Sequence, residues 1–410
     1  MANVSSSNGL ENRPKLRFPG FDEPWKETTL SAIFIKNIKK NTDGKITNVI
    51  CNSAKFGLIS QREYFDKDIA NRNNINNYYI IHKSDFVYNP RKSTDAPYGP
   101  ISSYKYSKDG IVSPLYLCFR AKFEINPLYF EWYFRSSVWH RYVYMSGDSG
   151  ARHDRVSIKD DVFFAMPINI PSEQEQSKIA SFLQSLDERI AAQEKLVASL
   201  KKYKRGVIQA LLSPKDCKLQ NVKWTTARVG DIGIFIKGAP LSKSDISSEG
   251  IPFILYGELY TTYNEVITKV IRKTKANVDD LYYSRKGDVI IPTSGETPEE
   301  ISTASCVMVP DVILAGDLNI YRCTQIDGQI MSYILNHIVN DKIARIAQGK
   351  SIVHVQATEI SKIEVTYPDQ LSQKKIVAIL AAISDRIDQS NKELELLQKQ
   401  HKSLLQKLFI

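Results

Sequence analysis

The sequence predicts an α+β protein in which two similar mixed α/β globular modules are joined by two long helices. Three observations predict this fold class. A long helical pattern occurs twice, beginning at Pro171 and again at Pro368. Both copies carry apolar residues at a mean spacing of 3.5, as paired helices do. The segment before each copy is rich in short β-type runs. We therefore expect the two helices to pair within the chain as an antiparallel coiled coil, with pseudo-twofold symmetry.

The two helical repeats span residues 171–213 and 368–410 and align without a gap. A proline at the start of each repeat suits a first helical turn. The seam predicted to pair the helices comprises Ile179, Leu183, Leu186, Ile190, Val197 and Leu200 in the first repeat, and Ile376, Leu380, Ile383, Ile387, Leu394 and Leu397 in the second. Polar residues at four seam positions, Gln193, Lys204, Ser390 and His401, would fix the register. The alternative is a pair of amphipathic helices that each pack on their own module.

The repeats divide the chain into four segments. We predict a first module at 1–170, a first long helix with its linker at 171–218, a second module at 219–367 and a second long helix at 368–410. Predicted strands of the first module lie at 47–50, 78–81, 86–88, 115–119 and 162–166, with a helix at 127–141. Predicted strands of the second lie at 232–236, 252–256, 288–291, 306–309, 319–322 and 362–365, with a helix at 331–348. Lys83-Ser84-Asp85 and Lys286-Gly287-Asp288 repeat weakly between the modules.

The charge of the chain points to a polyanionic partner. The net charge is +10, and the first module holds 24 Lys and Arg against 17 Asp and Glu, whereas the second holds 15 against 17. A basic surplus usually indicates nucleic acid. The five cysteines are scattered without a CxxC pair, which fits a reducing compartment and predicts no metal site. The sequence has no apolar run long enough to span a membrane, and we expect a cytoplasmic protein.

Several motifs resemble one family. Residues 14–21 (PKLRFPGF) followed by Trp25 are typical of the opening of type I restriction-modification specificity subunits. Residues 230–233 (GDIG) and 256–258 (YGE) are typical of the second module of that family. The pattern Pro-x4-Gln-x2-Ile-x3-Leu at 171–183 is its conserved-helix signature, and 368–380 matches the spacing. The chain is similar to this family over nearly its whole length.

The resemblance implies a function and a set of partners. Each module would be a target-recognition domain that reads one half of a bipartite, asymmetric site in double-stranded DNA. The paired helices would hold the modules a fixed distance apart and dock two methylation subunits, since pseudo-twofold helices offer two equivalent surfaces. Those subunits would hold S-adenosylmethionine and carry the restriction (motor-nuclease) subunits. This chain itself would bind no cofactor or metal and catalyse nothing.

Candidate DNA contacts come from polar and basic loops. Arg and Lys suit guanine, Asn and Gln suit adenine, and Ser and Thr can hold phosphates. The candidates are Arg72, Asn74, Asn77, Arg91, Lys92, Ser103, Lys105, Arg152 and Arg155 in the first module, and Lys243, Arg272, Lys273, Lys275, Thr293, Ser294, Gln348, Lys350 and Ser351 in the second. For each loop the alternative is a solvated polar turn. Because recognition domains of this family vary, no base-reading residue can be transferred by position.

Enzyme signatures are incomplete in this chain. Gly349-Lys350-Ser351 resembles the end of a phosphate-binding loop, but Ala344 stands where that motif needs glycine. Asn126-Pro127-Leu128-Tyr129 lacks a proline of the amino-methyltransferase signature. The enzyme alternative is a self-contained DNA methyltransferase or nuclease. A third possibility is a coiled-coil scaffold that joins proteins and never touches DNA.

Overall fold

A computed structural model describes residues 12–64, 72–147, 154–347, 349 and 353–410, with only the backbone for 72–74. The chain forms two compact units. Unit 1 comprises residues 1–194 and 393–410, and unit 2 comprises residues 195–392. Each unit therefore contains one module together with a part of each long helix.

Unit 1 contains ten strands, five shorter helices and the start of the first long helix among its described residues. The strands are β1 (Lys26–Thr29), β2 (Phe34–Lys36), β3 (Val49–Ser53), β4 (Gly57–Ser60), β5 (Tyr79–Ile81), β6 (Phe86–Tyr88), β7 (Ile101–Ser103), β8 (Gly110–Val112), β9 (Leu117–Ala121) and β10 (Pro167–Ile170). The helices are α1 (Leu30–Ile33), α2 (Gln61–Tyr64), α3 (Pro127–Arg135), α4 (His140–Ser146), α5 (Asp160–Phe164) and the long α6 (Glu173–Leu211).

Unit 2 has twelve strands, five shorter helices and the start of the second long helix among its described residues. The strands are β11 (Trp224–Arg228), β12 (Gly233–Lys237), β13 (Ile251–Leu255), β14 (Val266–Ile267), β15 (Lys273–Thr274), β16 (Asp288–Pro292), β17 (Ser294–Gly295), β18 (Ser305–Val307), β19 (Ile313–Ala315), β20 (Leu318–Cys323), β21 (Val353–His354) and β22 (Glu364–Pro368). The helices are α7 (Glu258–Thr261), α8 (Pro298–Ile301), α9 (Gly328–His337), α10 (Asn340–Ile346), α11 (Ala357–Ile360) and the long α12 (Gln370–Lys407).

The two modules share one strand order. The first has sheets ordered β2-β9-β6-β7 and β4-β3-β8-β5, and the second has sheets ordered β12-β20-β16-β18-β14 and β15-β13-β19. Each has a parallel pair at the equivalent place, β3 with β8 and β13 with β19, and the second module has a further parallel pair, β14 with β18. The first strand of each module also pairs antiparallel with its last, β1 with β10 and β11 with β22. The chain therefore enters and leaves each module side by side, directly before a long helix.

Three predicted elements differ from the structure. Residues 162–166 were predicted as a strand, but 160–164 form helix α5 and the strand follows at 167–170. The predicted helix at 127–141 breaks after Arg135, where the N–H of Ser136 ends α3 on the carbonyls of Trp132 and Tyr133. The predicted helix at 331–348 is two helices, α9 and α10. A short apolar run has no periodicity that separates strand from buried helix, which explains the first error.

The two long helices pack antiparallel, as the seam predicts. In unit 1 the first turns of α6, with Ile179 and Leu183, share a core with Leu408 near the end of α12. In unit 2 Ile208 in the last turn of α6 and Leu212 directly after it share a core with the start of α12. The predicted fold class is thereby confirmed. Both cores also include residues of the modules, so the helix ends pack on the globular domains as well as on one another.

A glutamine holds the start of each long helix. The side-chain amide of Gln176 donates to the carbonyl of Pro171 at 3.0 Å, and that of Gln373 donates to the carbonyl of Pro368 at 2.7 Å. Both prolines lie before the helix and not in its first turn, which corrects the sequence prediction. Asp369 caps α12 by accepting the N–H groups of Leu371 and Ser372. In both repeats the glutamine of the Pro-x4-Gln pattern therefore ties the first turn of the long helix to the proline that precedes it.

Replacing Gln373 with alanine is expected to destabilise unit 2 by about 1–3 kcal/mol, because the change leaves buried groups without partners. The side-chain amide oxygen of Gln373 also accepts the N–H of Asp327 at the start of α9, at 2.8 Å. Urea denaturation, with hydrogen exchange at the first turn of α12, measures the effect. Lys374→Ala at the exposed neighbouring position is the control. Equal stability of the two variants would contradict the proposed role of Gln373.

The weak Lys-x-Asp repeat between the modules is a turn whose buried aspartate forms an ion pair with an arginine. Ser84 and Gly287 both have positive φ, at 70° and 95°. The next residue, Asp85 or Asp288, accepts the N–H of the residue three positions earlier. Asp85 then pairs with Arg120 at 2.6 Å, and Asp288 pairs with Arg322 at 3.3 Å. The same turn thus links the same two strands in each module, β6 to β9 and β16 to β20.

Lys204 and His401 occupy equivalent polar positions of the two seams, and each contacts the module of its own unit. In unit 2 Lys204 pairs with Glu265 at 2.8 Å, and Glu265 also contacts His337 at 2.7 Å. Burial alone would raise the pKa of Glu265, but its partners His337 and Lys204 lower it to about 2. In unit 1 the His401 ring lies edge-on to Trp132, with centroids 5.4 Å apart. The contact between long helix and module at this position is therefore ionic in unit 2 and aromatic in unit 1.

Candidate nucleic-acid interface

A groove in unit 1 brings together three of the predicted DNA-binding residues. Its walls are residues 51–56, 89–93 and 113–116, with Arg155, Gln61 and Tyr64 at the edges, and its volume is about 690 Å³. We call it groove 1. Arg91 and Arg155 face each other in an isolated β-bridge, and the N–H of Lys92 donates to the carbonyl of Asp154. This backbone pairing explains why residues so distant in sequence share one wall.

The cations of groove 1 are available to a ligand. Arg91 and Lys92 are exposed, and within the described parts of the chain neither side chain forms an ion pair. Lys55 and Arg155 add two further positive charges to the lining, and Asp95 is the one carboxylate among the described residues that line the groove. Burial raises the pKa of both Cys51 and Tyr116 at the floor, so these groups stay neutral and leave the positive charge unbalanced. Unpaired cations in an open groove are suited to a polyanion.

An exposed aromatic pair lies at the rim of groove 1. Phe56 occupies the tip of the β3–β4 hairpin, which turns at Gly57 with φ 66°, and its side chain is 58% exposed. The centre of the Phe56 ring is 6.3 Å from the centre of the Tyr64 ring. The Lys55 ammonium lies 5.4 Å from the centre of the Phe56 ring. Sequence reasoning missed these residues. The available signal was the run Lys55-Phe56-Gly57, which places an aromatic residue at a turn and not in a strand.

A second groove in unit 2 contains two further predicted residues. Lys243 lies in a single 3₁₀ turn and Arg272 precedes β15, and both line a groove of about 800 Å³ with Tyr256 and Tyr260. We call it groove 2. The Arg272 guanidinium is held by Glu258 at 2.9 Å, whereas Lys243 is exposed and makes no ion pair with the described residues. Three carboxylates line groove 2, so it lacks the positive excess of groove 1.

Two predicted residues of unit 1 serve an internal network. Ser103 is 6% exposed and its hydroxyl donates to Glu131 at 2.8 Å, so no hydroxyl is left for a duplex. Lys105 pairs with the same carboxylate at 3.0 Å, as does Arg135 of α3 at 2.8 Å. A buried carboxylate needs such partners, and this need explains why a polar loop that looked solvated turns inward. The prediction for Ser103 is therefore not supported by the structure.

The remaining described candidates are scattered. Ser294 is 5% exposed and donates to Asp317 at 3.0 Å, so it too is inaccessible, and Thr293 beside it is half-buried. Lys273 and Lys275 are exposed along one edge of unit 2, where Lys275 lies 3.6 Å from Glu249. Asn77 is exposed at the end of the 3₁₀ segment Arg72–Asn77, away from groove 1.

Some candidates fall outside the described residues. These are Arg152, Gln348, Lys350 and Ser351, together with the side chains of Arg72 and Asn74. Their assignment to DNA contact stays a prediction.

The twelve residues predicted to pair the helices are all buried or half-buried. Ile179, Leu183, Val197, Ile376, Leu380, Ile387 and Leu397 are buried, and Leu186, Ile190, Leu200, Ile383 and Leu394 are half-buried. Which side chains meet across the seam stays a prediction. In unit 1 the helices also bear exposed contacts, Arg189 with Glu393 at 3.1 Å and Gln398 with Glu194 at 3.3 Å. Such exposed pairs contribute little stability.

The described residues contain neither a candidate metal site nor a membrane-spanning helix. Within the described residues, no three His, Cys, Asp or Glu side chains are grouped so that they could hold a metal ion. Among the same residues, no helix combines the length and the apolar character needed to cross a bilayer. Asn126-Pro127, which resembled part of a methyltransferase motif, is the cap of α3: the Asn126 side chain accepts the N–H of Tyr129 at 3.1 Å.

Two like modules, each with an open groove, on one pair of antiparallel helices define a tandem two-domain recognition protein. The family described as type I restriction modification DNA specificity domain matches residues 23–202 and again 221–399. The chain belongs to this family and carries two copies of its domain. The type I restriction enzyme MjaX specificity subunit of Methanocaldococcus jannaschii is 24% identical over 258 residues. That match covers 58% of this chain and 57% of the relative, so the chain spans little more than half of the relative's length.

Solved structures share the fold. One chain, from a study of complex assembly and conformational transition of the type I R-M system, superimposes with a TM-score of 0.61 at 14% identity, over 96% of this chain and 99% of the other. The type I restriction-modification S subunit from M. genitalium gives a TM-score of 0.56 at 16% identity, over 97% and 99%. At such low identity the likeness concerns the fold alone.

Proposed function

We propose that this chain is the DNA-recognition subunit of a type I restriction-modification system. The observation that carries the proposal is the pairing of two modules of one topology with two chemically different grooves. A homodimer with one kind of reader recognises a palindrome, because its symmetry is imposed on the site. One chain with two unlike readers recognises a bipartite, asymmetric site. The antiparallel helices supply a stiff spacer between the half-sites.

The proposal assigns catalysis to partners. S-adenosylmethionine would be bound by methylation subunits, and two of these would dock on the paired helices, one for each half-site. Restriction subunits would join through them. The family membership of both halves supports a role in such a complex, and the low identity to the solved structures leaves stoichiometry and cofactor placement as parts of the proposal.

Groove 1 leads to a quantitative expectation. Arg91→Ala combined with Lys92→Ala is expected to weaken binding to duplex DNA and to reduce the slope of log affinity against log salt by about 2, because each cation removed from the DNA interface displaces about one counterion fewer. Electrophoretic shift over a salt series, using the chain with its cognate methylation subunit, measures both quantities.

The matched control is Lys39→Ala with Lys40→Ala. These two lysines are also adjacent and exposed in unit 1, but they do not line groove 1. It removes the same charge and should change the slope less. Equal changes in the two double variants would show that net charge, and not groove 1, governs binding. A wild-type complex with no salt-dependent affinity for duplex DNA would favour the scaffold alternative.

A further inference from the structure

Groove 1 and groove 2 lie at the same place in the shared topology. In unit 1 the parallel strands β3 and β8 run side by side, with Val49 opposite Ile111. In unit 2 β13 and β19 are the matching pair, with Phe253 opposite Ile313. The carboxyl ends of two parallel strands meet at one edge of a sheet. Residues 53–56 and 113–116 follow the first pair and line groove 1, and residues 255–258 and 316–317 follow the second pair and line groove 2.

A third segment of each groove is equivalent as well. Strands β6 and β16 both follow the repeated turn whose buried aspartate pairs with an arginine. The chain after β6 contributes Arg91 and Lys92 to groove 1. The chain that leaves β16 and passes through β17 contributes Glu296 to groove 2. Three loops on equivalent strands thus contribute to both grooves, although their residues differ, and Lys243 of groove 2 comes from a further segment that follows β12. Loops at such an edge can vary without disturbing the core that supports them.

We propose that this edge is the base-reading surface of each module, so that groove 1 reads one half-site and groove 2 reads the other. This inference rests on the proposed function and assigns its site. In groove 1 the Arg91 guanidinium can donate to guanine O6 and N7, and the exposed Phe56 ring can contact a thymine methyl group. In groove 2 Lys243 can donate to guanine, and the exposed carboxylate of Glu296 can accept from the cytosine amino group.

Hydrogen bonds within each groove distinguish the residues that hold its shape from the residues that are left to contact bases. In groove 2 Glu258 accepts both the Arg272 guanidinium and the N–H of Leu255, so these groups hold each other in place. Asp317 likewise accepts the hydroxyl of Ser294. Lys243, Glu296 and Asp317 are the exposed charged residues of groove 2, and of these only the Asp317 side chain has a hydrogen bond to another described residue. In groove 1 the floor residue Asn52 donates to the carbonyls of Val87 and Pro100 and is used internally. The groups left for DNA therefore lie at the rims.

The test is methylome sequencing of a host that expresses the chain with its cognate methylation subunit. Arg91→Ala and Phe56→Ala are each expected to relax one half-site by about 5- to 150-fold in discrimination at one or two base pairs, and to leave the other half-site unchanged. Lys243→Ala should relax only the other half-site. Lys39→Ala in unit 1 and Lys286→Ala in unit 2, both exposed and outside the grooves, should leave both half-sites intact.

The outcomes distinguish the inference from the function on which it rests. If the wild-type chain directs no sequence-specific methylation and binds no duplex, the proposed function fails. If the wild type reads a bipartite site and the groove variants keep full discrimination in both halves, the base-reading surface lies elsewhere and the inference fails. A variant that loses methylation altogether is examined by circular dichroism and by binding to random duplex. A folded variant that still binds random duplex supports the inference. An unfolded variant is replaced by Arg91→Lys or Phe56→Leu. Relaxed discrimination in one half-site then supports the inference, and full discrimination in both half-sites contradicts it.

Discussion

Seven residues inserted after Glu194 and seven more inserted before Glu393 are expected to lengthen the spacer of the DNA target by about three base pairs. An α-helix rises 1.5 Å per residue, so a heptad adds about 10.5 Å, and B-DNA rises about 3.4 Å per base pair. Both insertion points lie where one compact unit ends and the other begins. A heptad also preserves the phase of the apolar seam. Methylome sequencing of the variant gives the new spacer directly, and both half-site sequences should be unchanged.

A matched control places the heptad in α6 alone. Antiparallel partners must then pair with unequal lengths, so this variant is expected to lose stability and recognise no site. An unchanged spacer in the double insertion, or altered half-sites, would show that the helices do not set the spacing.

Replacing Arg322 with methionine is expected to cost unit 2 about 3–5 kcal/mol of its free energy of unfolding, because a buried carboxylate loses its counter-charge. The Arg322 and Asp288 side chains are 9% and 4% exposed, and the guanidinium also donates to the carbonyls of Leu281 and Tyr283. Burial raises the pKa of Asp288 against the opposing effect of its hydrogen bonds and of Arg322. Removal of Arg322 leaves that desolvation uncompensated.

Urea unfolding of the purified chain measures the loss. Arg120→Met at the equivalent site of unit 1 is the matched comparison, and its cost should be smaller because the Arg120 side chain is 45% exposed. Adding Asp288→Asn to Arg322→Met should recover part of the lost stability, since no buried charge remains. If the double variant is less stable than the single one, the hydrogen bonds of the Asp288 carboxylate stabilise the turn by more than the burial of its charge costs.

The long helices were predictable because their signal is periodic over many residues. The expected spans 171–213 and 368–410 enclose the observed α6 and α12 closely. Short elements were less predictable. The run at 162–166 is apolar enough for a strand, yet the lysine and two aspartates ahead of it begin helix α5. The pattern gave no indication that Ser136 would end α3, since serine is tolerated inside many helices.

The candidate site could be predicted only in part. The predicted DNA contacts Arg91, Lys92 and Lys243 are exposed, as expected for charged side chains in turns, which rarely become buried. The meeting of Arg91 with Arg155 could not be foreseen, since it depends on a backbone bridge between distant loops. Ser103 was misassigned because a buried glutamate on another element draws it inward. Phe56 was overlooked because an isolated aromatic residue usually belongs to the core.

The ladders that join β1 to β10 and β11 to β22 have an evolutionary consequence. Because each ladder brings both ends of a module together just before a long helix, a foreign reader with a similar ladder could replace it without a change in either helix. Recombination between genes at the two strands of such a ladder would then create a protein with a new DNA target in one step. Methylation subunits that dock on the unchanged helices, as proposed above, would need no compensating mutation.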